Sequence, residues 1–128
     1  MTPQDGIDQA RQQARRLHRR FGVESQQHVD VYAFANRLNV QLVDAPLEGA
    51  LAQLIVNRGS ARILLSSQLR DPTRRRIAIA HELGHYVLSH PSATVGELCE
   101  PGQPQAAAFG RDYENEAHSF ALELLMLP

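Results

Sequence analysis

Residues 81–90 read HELGHYVLSH, and this stretch decides which fold and which chemistry the chain can support. Two histidines that are four residues apart lie one turn apart on the same face of an α-helix. The imidazoles of His81 and His85 can therefore each give one nitrogen to a single zinc ion. Glu82 lies about 100° around the helix from His81. Its carboxylate would flank the metal and take a proton from a water molecule there.

The residues around this motif indicate a helix inside the core. The segment Asp71-Pro72-Thr73 is typical of a helix start, and Pro91 ends the helical pattern. Apolar side chains occupy nearly every face of the intervening helix, namely Ile77, Ala78, Ile79, Ala80, Leu83, Val87 and Leu88. The alternative is a half-buried helix with two histidines and a surface glutamate. Buried polar groups need partners, however, and a metal ion would supply one.

Length and composition indicate a single globular domain over residues 1–128. The chain is 43% hydrophobic and 21% charged, and its net charge of −1 gives no overall attraction to nucleic acid. One cysteine allows no internal disulfide and favours a reducing compartment. We find no secretory signal, and no stretch approaches the roughly 20 apolar residues of a membrane span. The sequence therefore predicts a cytoplasmic protein without membrane association.

The remaining patterns predict an α+β fold of about four helices and a small three-stranded antiparallel sheet, with the HELGH motif on a buried helix. The expected helices cover residues 7–21, 29–38, 72–90 and 112–126. The expected strands cover residues 40–43, 51–56 and 61–65, and Asn57-Arg58-Gly59-Ser60 indicates a hairpin between the last two. Gly22 is expected to stop the first helix. Residues 91–111 are expected to form a loop.

The first helix carries a run of arginines opposite its apolar stripe: Arg11, Arg15, Arg16, Arg19 and Arg20. Such a run is more often a solvated surface than a binding site, so direct nucleic-acid binding is not favoured. A regulator that binds nucleic acid through this face is the alternative, and its binding would depend on salt.

A catalytic zinc ion usually has a third protein ligand. In one class of zinc helix the third ligand is a histidine six residues after the second, a position that Pro91 occupies here. His90 points about 140° away from His85 on a helix and is expected to be a helix-end residue that the macrodipole favours. The sequence therefore favours a glutamate from the last helix.

Helical periodicity selects among the glutamates of that helix. Glu114 begins a stripe at three- and four-residue steps that continues through Ala117, His118, Ala121 and Leu125. Small alanines on this stripe would let two helices approach closely. We therefore prefer Glu114 as the third ligand and keep Glu116 as the second choice.

Three further side chains are candidates for roles at the site. His118 lies one turn after Glu114 and would orient a ligand; a fourth ligand that closes the site and a packing residue are the alternatives. Tyr113 or His118 could stabilise the oxyanion. Cys99 lies between the two metal-bearing helices and could block the open position or respond to oxidation, although an ordinary loop cysteine is the expected interpretation.

Two blocks together resemble the ImmA/IrrE family of metallopeptidases. They are HELGHYVLSH at 81–90, which RRRIAIA precedes at 74–80, and ENEAHSFALELLM at 114–126. In layout the resemblance covers most of residues 29–128. It implies a compact, gluzincin-like zinc peptidase in which Glu114 is the third ligand, and His118 stands where the family has asparagine. Relatives cleave helix-turn-helix repressors, so the resemblance also implies a protein substrate and a role in regulating transcription.

The sequence as a whole therefore predicts a zinc metalloendopeptidase with one zinc ion per chain, held by His81, His85 and Glu114, and with Glu82 as the catalytic base. Its expected substrate is a helix-turn-helix repressor or antitoxin. The strand at 61–65 is expected to pair with the extended substrate. The alternative is a zinc-binding module that binds such a partner without cleaving it.

Overall fold

The computed structural model describes residues 2–23, 29–90 and 112–126. These residues form α1 (Pro3–Arg20), α2 (Val31–Arg37), β1 (Val40–Ala45), β2 (Ala52–Asn57), β3 (Ser60–Ser66), α3 (Pro72–Val87) and α4 (Tyr113–Leu124). The predicted α+β fold with four helices and three strands is confirmed. The predicted loop at 91–111, which includes Cys99, lies outside the described residues.

Each helix begins at a polar side chain that accepts hydrogen bonds from the first turn. Thr2 and Asp5 form a reciprocal capping box at the start of α1. Asp30, Asp71 and Asp112 accept from backbone N–H groups at the starts of α2, α3 and α4. These caps satisfy donors that have no partner inside the helix. The cap at Thr2 begins α1 at Pro3, before the predicted start at residue 7.

The sheet is mixed, so the prediction of a purely antiparallel sheet is wrong. β2 and β3 form the expected hairpin, in which Asn57 pairs with Ser60 and Gly59 turns the chain with a φ of 72°. β1 pairs in parallel with the other side of β3, which gives the strand order β1-β3-β2. A tight turn dictates only the hairpin. The connection at 46–51 leads from β1 to β2 and leaves a gap of one strand between them. β3 fills this gap, antiparallel to β2 and parallel to β1.

The strand order also corrects the expected mode of substrate binding. β3 contains residues 61–65 and lies in the middle of the described sheet, with β1 and β2 hydrogen-bonded on either side. Its backbone groups are therefore used within the sheet and cannot pair with a peptide. The edge strands of the described sheet are β1 and β2, and β2 packs against α3.

The core lies between the sheet and the helices α1, α3 and α4. Its largest fully buried apolar side chains are Leu54, Ile63, Leu65, Ile79, Leu83, Phe120 and Leu124. α3 and α4 approach each other closely at Gly84. A Cβ atom on Gly84 would lie 3.2 Å from Cα of Ala117 and 3.0 Å from the ring of Phe120. The small residues at this crossing therefore let polar groups on the two helices meet.

α1 packs along α4, and two side chains of α1 contact the C-terminal end of α4. Nε2 of His18 donates to the carbonyl oxygen of Leu124 over 2.7 Å. Arg15 pairs with Glu123 at 3.4 Å on the outer side of the same contact. α1 ends as the sequence predicts, because Gly22 adopts a φ of 70° and the N–H of Val23 reaches the carbonyl of His18.

The arginine-bearing face of α1 is exposed. Arg11 lies 4.0 Å from Asp8, and Arg15 contacts Glu123 as described above. Among the described residues, none of the helices combines the length and the apolar character that crossing a membrane requires.

We expect His18→Phe to lower the free energy of unfolding by about 1–3 kcal/mol. Phenylalanine preserves the ring but leaves a buried carbonyl oxygen without its donor. Urea denaturation measures the loss. The matched control is Arg15→Gln, which removes a half-exposed ion pair from the same helix contact and should cost less than about 1 kcal/mol. Equal losses in the two variants would contradict this assignment.

Candidate metal centre

Three side chains of the predicted site meet between α3 and α4. Nε2 of His81 lies 2.9 Å from Oε2 of Glu114, and Nε2 of His85 lies 3.0 Å from Oε1 of the same carboxylate. The two Nε2 atoms are 3.2 Å apart. His85 and Glu114 are buried, and His81 is partly exposed. Within the part of the chain that the structure describes, this is the group of histidine and acidic residues that could hold a metal ion.

The separations of these donor atoms fit a tetrahedral metal ion. Two atoms that are each bonded to zinc at 2.0–2.1 Å lie roughly 3.3 Å apart. The two Nε2 atoms are 3.2 Å apart, and each lies 2.9–3.0 Å from a different oxygen of Glu114, which is only slightly shorter. One ligand atom from each of the three residues lies within 4.8 Å of the other two. Two imidazole nitrogens and one carboxylate are a donor set typical of catalytic zinc. The three side chains therefore fit such an ion with little rearrangement.

The carboxylate of Glu114 is held in its ionised form. Burial alone raises the pKa of this group, but the hydrogen bonds to His81 and His85 outweigh it and lower the pKa from 4.5 to about 2. Coordination requires an ionised carboxylate. The surroundings of Glu114 therefore favour the form that binds a metal.

His90 lies elsewhere than the sequence predicts. α3 ends at Val87, and Ser89 adopts a φ of 56°. The N–H of Ser89 then bonds to the carbonyl of Tyr86, and the N–H of His90 bonds to the carbonyl of His85. This is a Schellman motif with serine in the place that glycine usually takes. The chain reverses at Ser89, so the 140° angle that the sequence interpretation assumed for a continuing helix does not apply.

The reversal places His90 against the buried side of His85. The two Nδ1 atoms are 2.9 Å apart, and Nε2 of His90 lies 3.0 Å from Oε1 of Glu116. His90 is 1% exposed and Glu116 is 0% exposed. The ring of Tyr113 packs on His90 with 4.5 Å between centroids. A hydrogen-bonded row therefore runs from the metal centre to Glu116.

The sequence interpretation missed this row. Pro91 was the available signal, because a proline disfavours helical conformation in the residue before it, and His90 therefore need not continue the helix. A second acidic residue two positions after Glu114 was the matching signal on α4. Neither signal indicates that the two residues meet, since they are 26 positions apart.

The other predicted site residues that the structure describes lie outside the group of His81, His85 and Glu114. Glu82 is 1% exposed and directly follows His81 on α3. Glu116, the second-choice ligand, lies outside the group of three and contacts His90 instead. The side chain of His118 is exposed and lies outside that group. Tyr113 is buried against His90. Cys99 lies outside the described residues, so its proposed effect on the site stays a prediction.

Comparison with known proteins gives a family match. Residues 35–127 match the family model described as the IrrE N-terminal-like domain, which is a peptidase family. The match extends over more than half of the chain and includes α3, α4 and the group of three side chains. No curated protein matches the chain.

We expect Glu114→Gln to weaken zinc binding by more than the roughly 10–100-fold that is typical when a residue behind a ligand is lost. The amide keeps the shape of the side chain but removes the charged donor. Competition with a chromophoric chelator measures the affinity. Glu123→Gln, on the same helix but paired with Arg15, is the matched control and should bind zinc as the unaltered protein does. Unchanged affinity in Glu114→Gln would exclude this residue as a ligand.

Glu114 should also make the stability of the metal-free protein depend on pH. Its pKa is about 2 in the folded chain against an ordinary 4.5. Its ionised form therefore stabilises the fold fully above pH 4.5, and this contribution is lost as the pH falls toward 2. Urea denaturation of the unaltered and Glu114→Gln proteins between pH 6 and pH 2 should give free energies of unfolding that converge at low pH. A constant difference would contradict the low pKa.

Proposed function

The chain belongs to the IrrE N-terminal-like family of metallopeptidases, and we propose that it is a zinc-dependent endopeptidase whose metal ligands are His81, His85 and Glu114. One observation carries the proposal: in a peptidase-family chain, the Nε2 atoms of His81 and His85 lie 3.2 Å apart, and each lies 2.9–3.0 Å from one carboxylate oxygen of Glu114. Borderline-soft zinc suits two imidazoles and one carboxylate, whereas magnesium and calcium favour ligands that are all oxygen. We therefore infer one zinc ion per chain.

Each protein group has a distinct task in peptide hydrolysis. A zinc ion held at this site supplies Lewis acidity, which lowers the pKa of a water molecule and polarises a carbonyl oxygen. Glu82 takes the proton from the attacking water and delivers it to the nitrogen of the leaving amine. Its place next to His81 on a rigid, buried helix fixes the carboxylate relative to the ligands. The oxygen of one water molecule forms a bond to the carbonyl carbon, the C–N bond breaks, and the proton that Glu82 carries goes to the amine nitrogen, so one water is consumed for each peptide bond broken.

The proposed substrate is a helix-turn-helix repressor or antitoxin in the cytoplasm, and its cleavage would regulate transcription. The resemblance of the blocks at 81–90 and 114–126 to the ImmA/IrrE family supports this choice. β2 supports an extended mode of binding, because it is an edge strand of the described sheet and packs against α3. A peptide that pairs with such an edge gains main-chain hydrogen bonds without dependence on its sequence.

Glu82→Gln separates chemistry from metal binding. The amide cannot accept the proton of the water, so the cleavage rate should fall by about 10²–10⁴-fold, as is typical when a general base is lost. A gel assay should then show no fragments. The assay co-expresses the protein with the helix-turn-helix repressor encoded nearest to its gene, and mass spectrometry identifies the fragments. Zinc content should remain one ion per chain.

Cleavage by Glu82→Gln at the unaltered rate would remove Glu82 from its role. A repressor that co-purifies intact with the unaltered, zinc-loaded protein would instead support a module that binds its partner without cleaving it. Fragments that persist after Glu114→Gln removes the metal would contradict the proposal as a whole.

A further inference from the structure

We propose that His90 and Glu116 are positioning residues that fix the proton of His85 on Nδ1, and that Gly6 of α1 makes the room in which Glu116 does so. The inference rests on the proposed metal centre and concerns the residues that hold one of its ligands, His85. Its consequence is that α1, which precedes the matched range 35–127, controls how tightly the metal is held.

The directions of the hydrogen bonds follow from the groups that make them. A carboxylate only accepts, so the contact of 3.0 Å between Glu116 and His90 places a hydrogen on Nε2 of His90. The Nδ1 atom of a neutral His90 then carries a lone pair. It accepts the hydrogen of His85 Nδ1 across 2.9 Å. Nε2 of His85 donates to Glu114 across 3.0 Å, and a bound zinc ion would replace that hydrogen. With the other hydrogen kept on Nδ1, the lone pair of His85 would then lie on Nε2, the atom that faces His81 and Glu114.

The burial of this row indicates that it serves the metal centre. His85 and His90 are each 1% exposed, and Glu116 is 0% exposed. Burying three polar side chains is costly unless each is hydrogen-bonded, and the fold adds a non-glycine residue at positive φ to bring His90 into place. An apolar core of the same volume would avoid both costs. The row therefore has a purpose beyond packing, and orientation of a metal ligand is the one its geometry serves.

Gly6 provides the link to α1. It is buried in the first turns of that helix, where the carboxylate of Glu116 lies directly against it. A Cβ atom on Gly6 would lie 2.7 Å from Cδ of Glu116 and closer still to Oε2. Glycine inside a helix costs about 1 kcal/mol relative to alanine, and Gly6 is not among the residues with positive φ. The space it leaves for the carboxylate is therefore the reason for a glycine here.

The first test uses the unmodified, zinc-loaded chain. Long-range ¹H–¹⁵N NMR should show His90 as the neutral tautomer with hydrogen on Nε2. A coupling across the hydrogen bond should join Nδ1 of His85 to Nδ1 of His90. A hydrogen on Nδ1 of His90, or no coupling between these nitrogens, would overturn the proposal without any variant having to fold.

The second test measures zinc affinity by chelator competition in variants of the row. His90→Phe keeps the ring against Tyr113 and Glu116→Gln keeps the side-chain volume, and each should weaken zinc binding about 10–100-fold. Gly6→Ala should weaken it to a similar degree by displacing the Glu116 carboxylate. Gln9→Ala, at an exposed position of the same helix, is the matched control and should leave the affinity unchanged.

A double-mutant cycle separates positioning from general disruption. In a Glu116→Ala background the added methyl group has room, so Gly6→Ala should cause no further loss of zinc affinity. Equal losses in both backgrounds, or affinities within twofold of the unaltered protein in all variants, would overturn the inference. Either result leaves the proposed function standing, because that depends on Glu82 and Glu114 and is read from cleavage and from Glu114→Gln.

Discussion

Gly84 and Ala117 bring the backbones of α3 and α4 close together, and the metal centre depends on that approach. A side chain at Gly84 would meet the Cα and carbonyl oxygen of Ala117 at 3.2 Å. Separating the helices by the thickness of a methyl group would move the carboxylate of Glu114 away from both imidazoles at once. Rigid helices hold catalytic groups more accurately than loops do, provided that their crossing is fixed. Here two of the smallest residues fix it.

The same crossing obliges the protein to bury ionisable groups in its core. His85, Glu114, His90 and Glu116 are all buried, as are apolar residues such as Phe120 and Leu83. Each of the four has a hydrogen-bond partner, and the partners form two groups that meet at His85. Polar networks that are fully satisfied in this way restrict the arrangements available to a core. They therefore contribute to a single well-defined geometry as well as to charge balance.

Local rules explain which parts of this structure the sequence predicts. Helical periodicity pairs His81 with His85 and selects Glu114 on its stripe, and both conclusions concern one helix at a time. The aspartate cap at Asp71 locates the start of α3, and a glycine turn locates the hairpin. The parallel pairing of β1 and the contact of Gly6 with Glu116 join segments that are distant along the chain, and no local pattern encodes them. The predicted direction of the His90 side chain was wrong for a related reason. It assumed helical geometry at residue 90, whereas α3 ends at Val87.

The packing of α1 on α4 bears on how the protein should be divided for expression. α1 ends at Arg20, before the matched range begins at residue 35, yet its residues Ala10, Ala14 and Leu17 belong to the same buried cluster as Phe120 and Leu124. A fragment that begins at the family boundary would lack α1. It would expose the side of α4 that α1 covers, and Glu116 would lose its contact with Gly6. Family boundaries describe what relatives share in sequence. Among the described residues, the packed core extends beyond the matched range and includes α1.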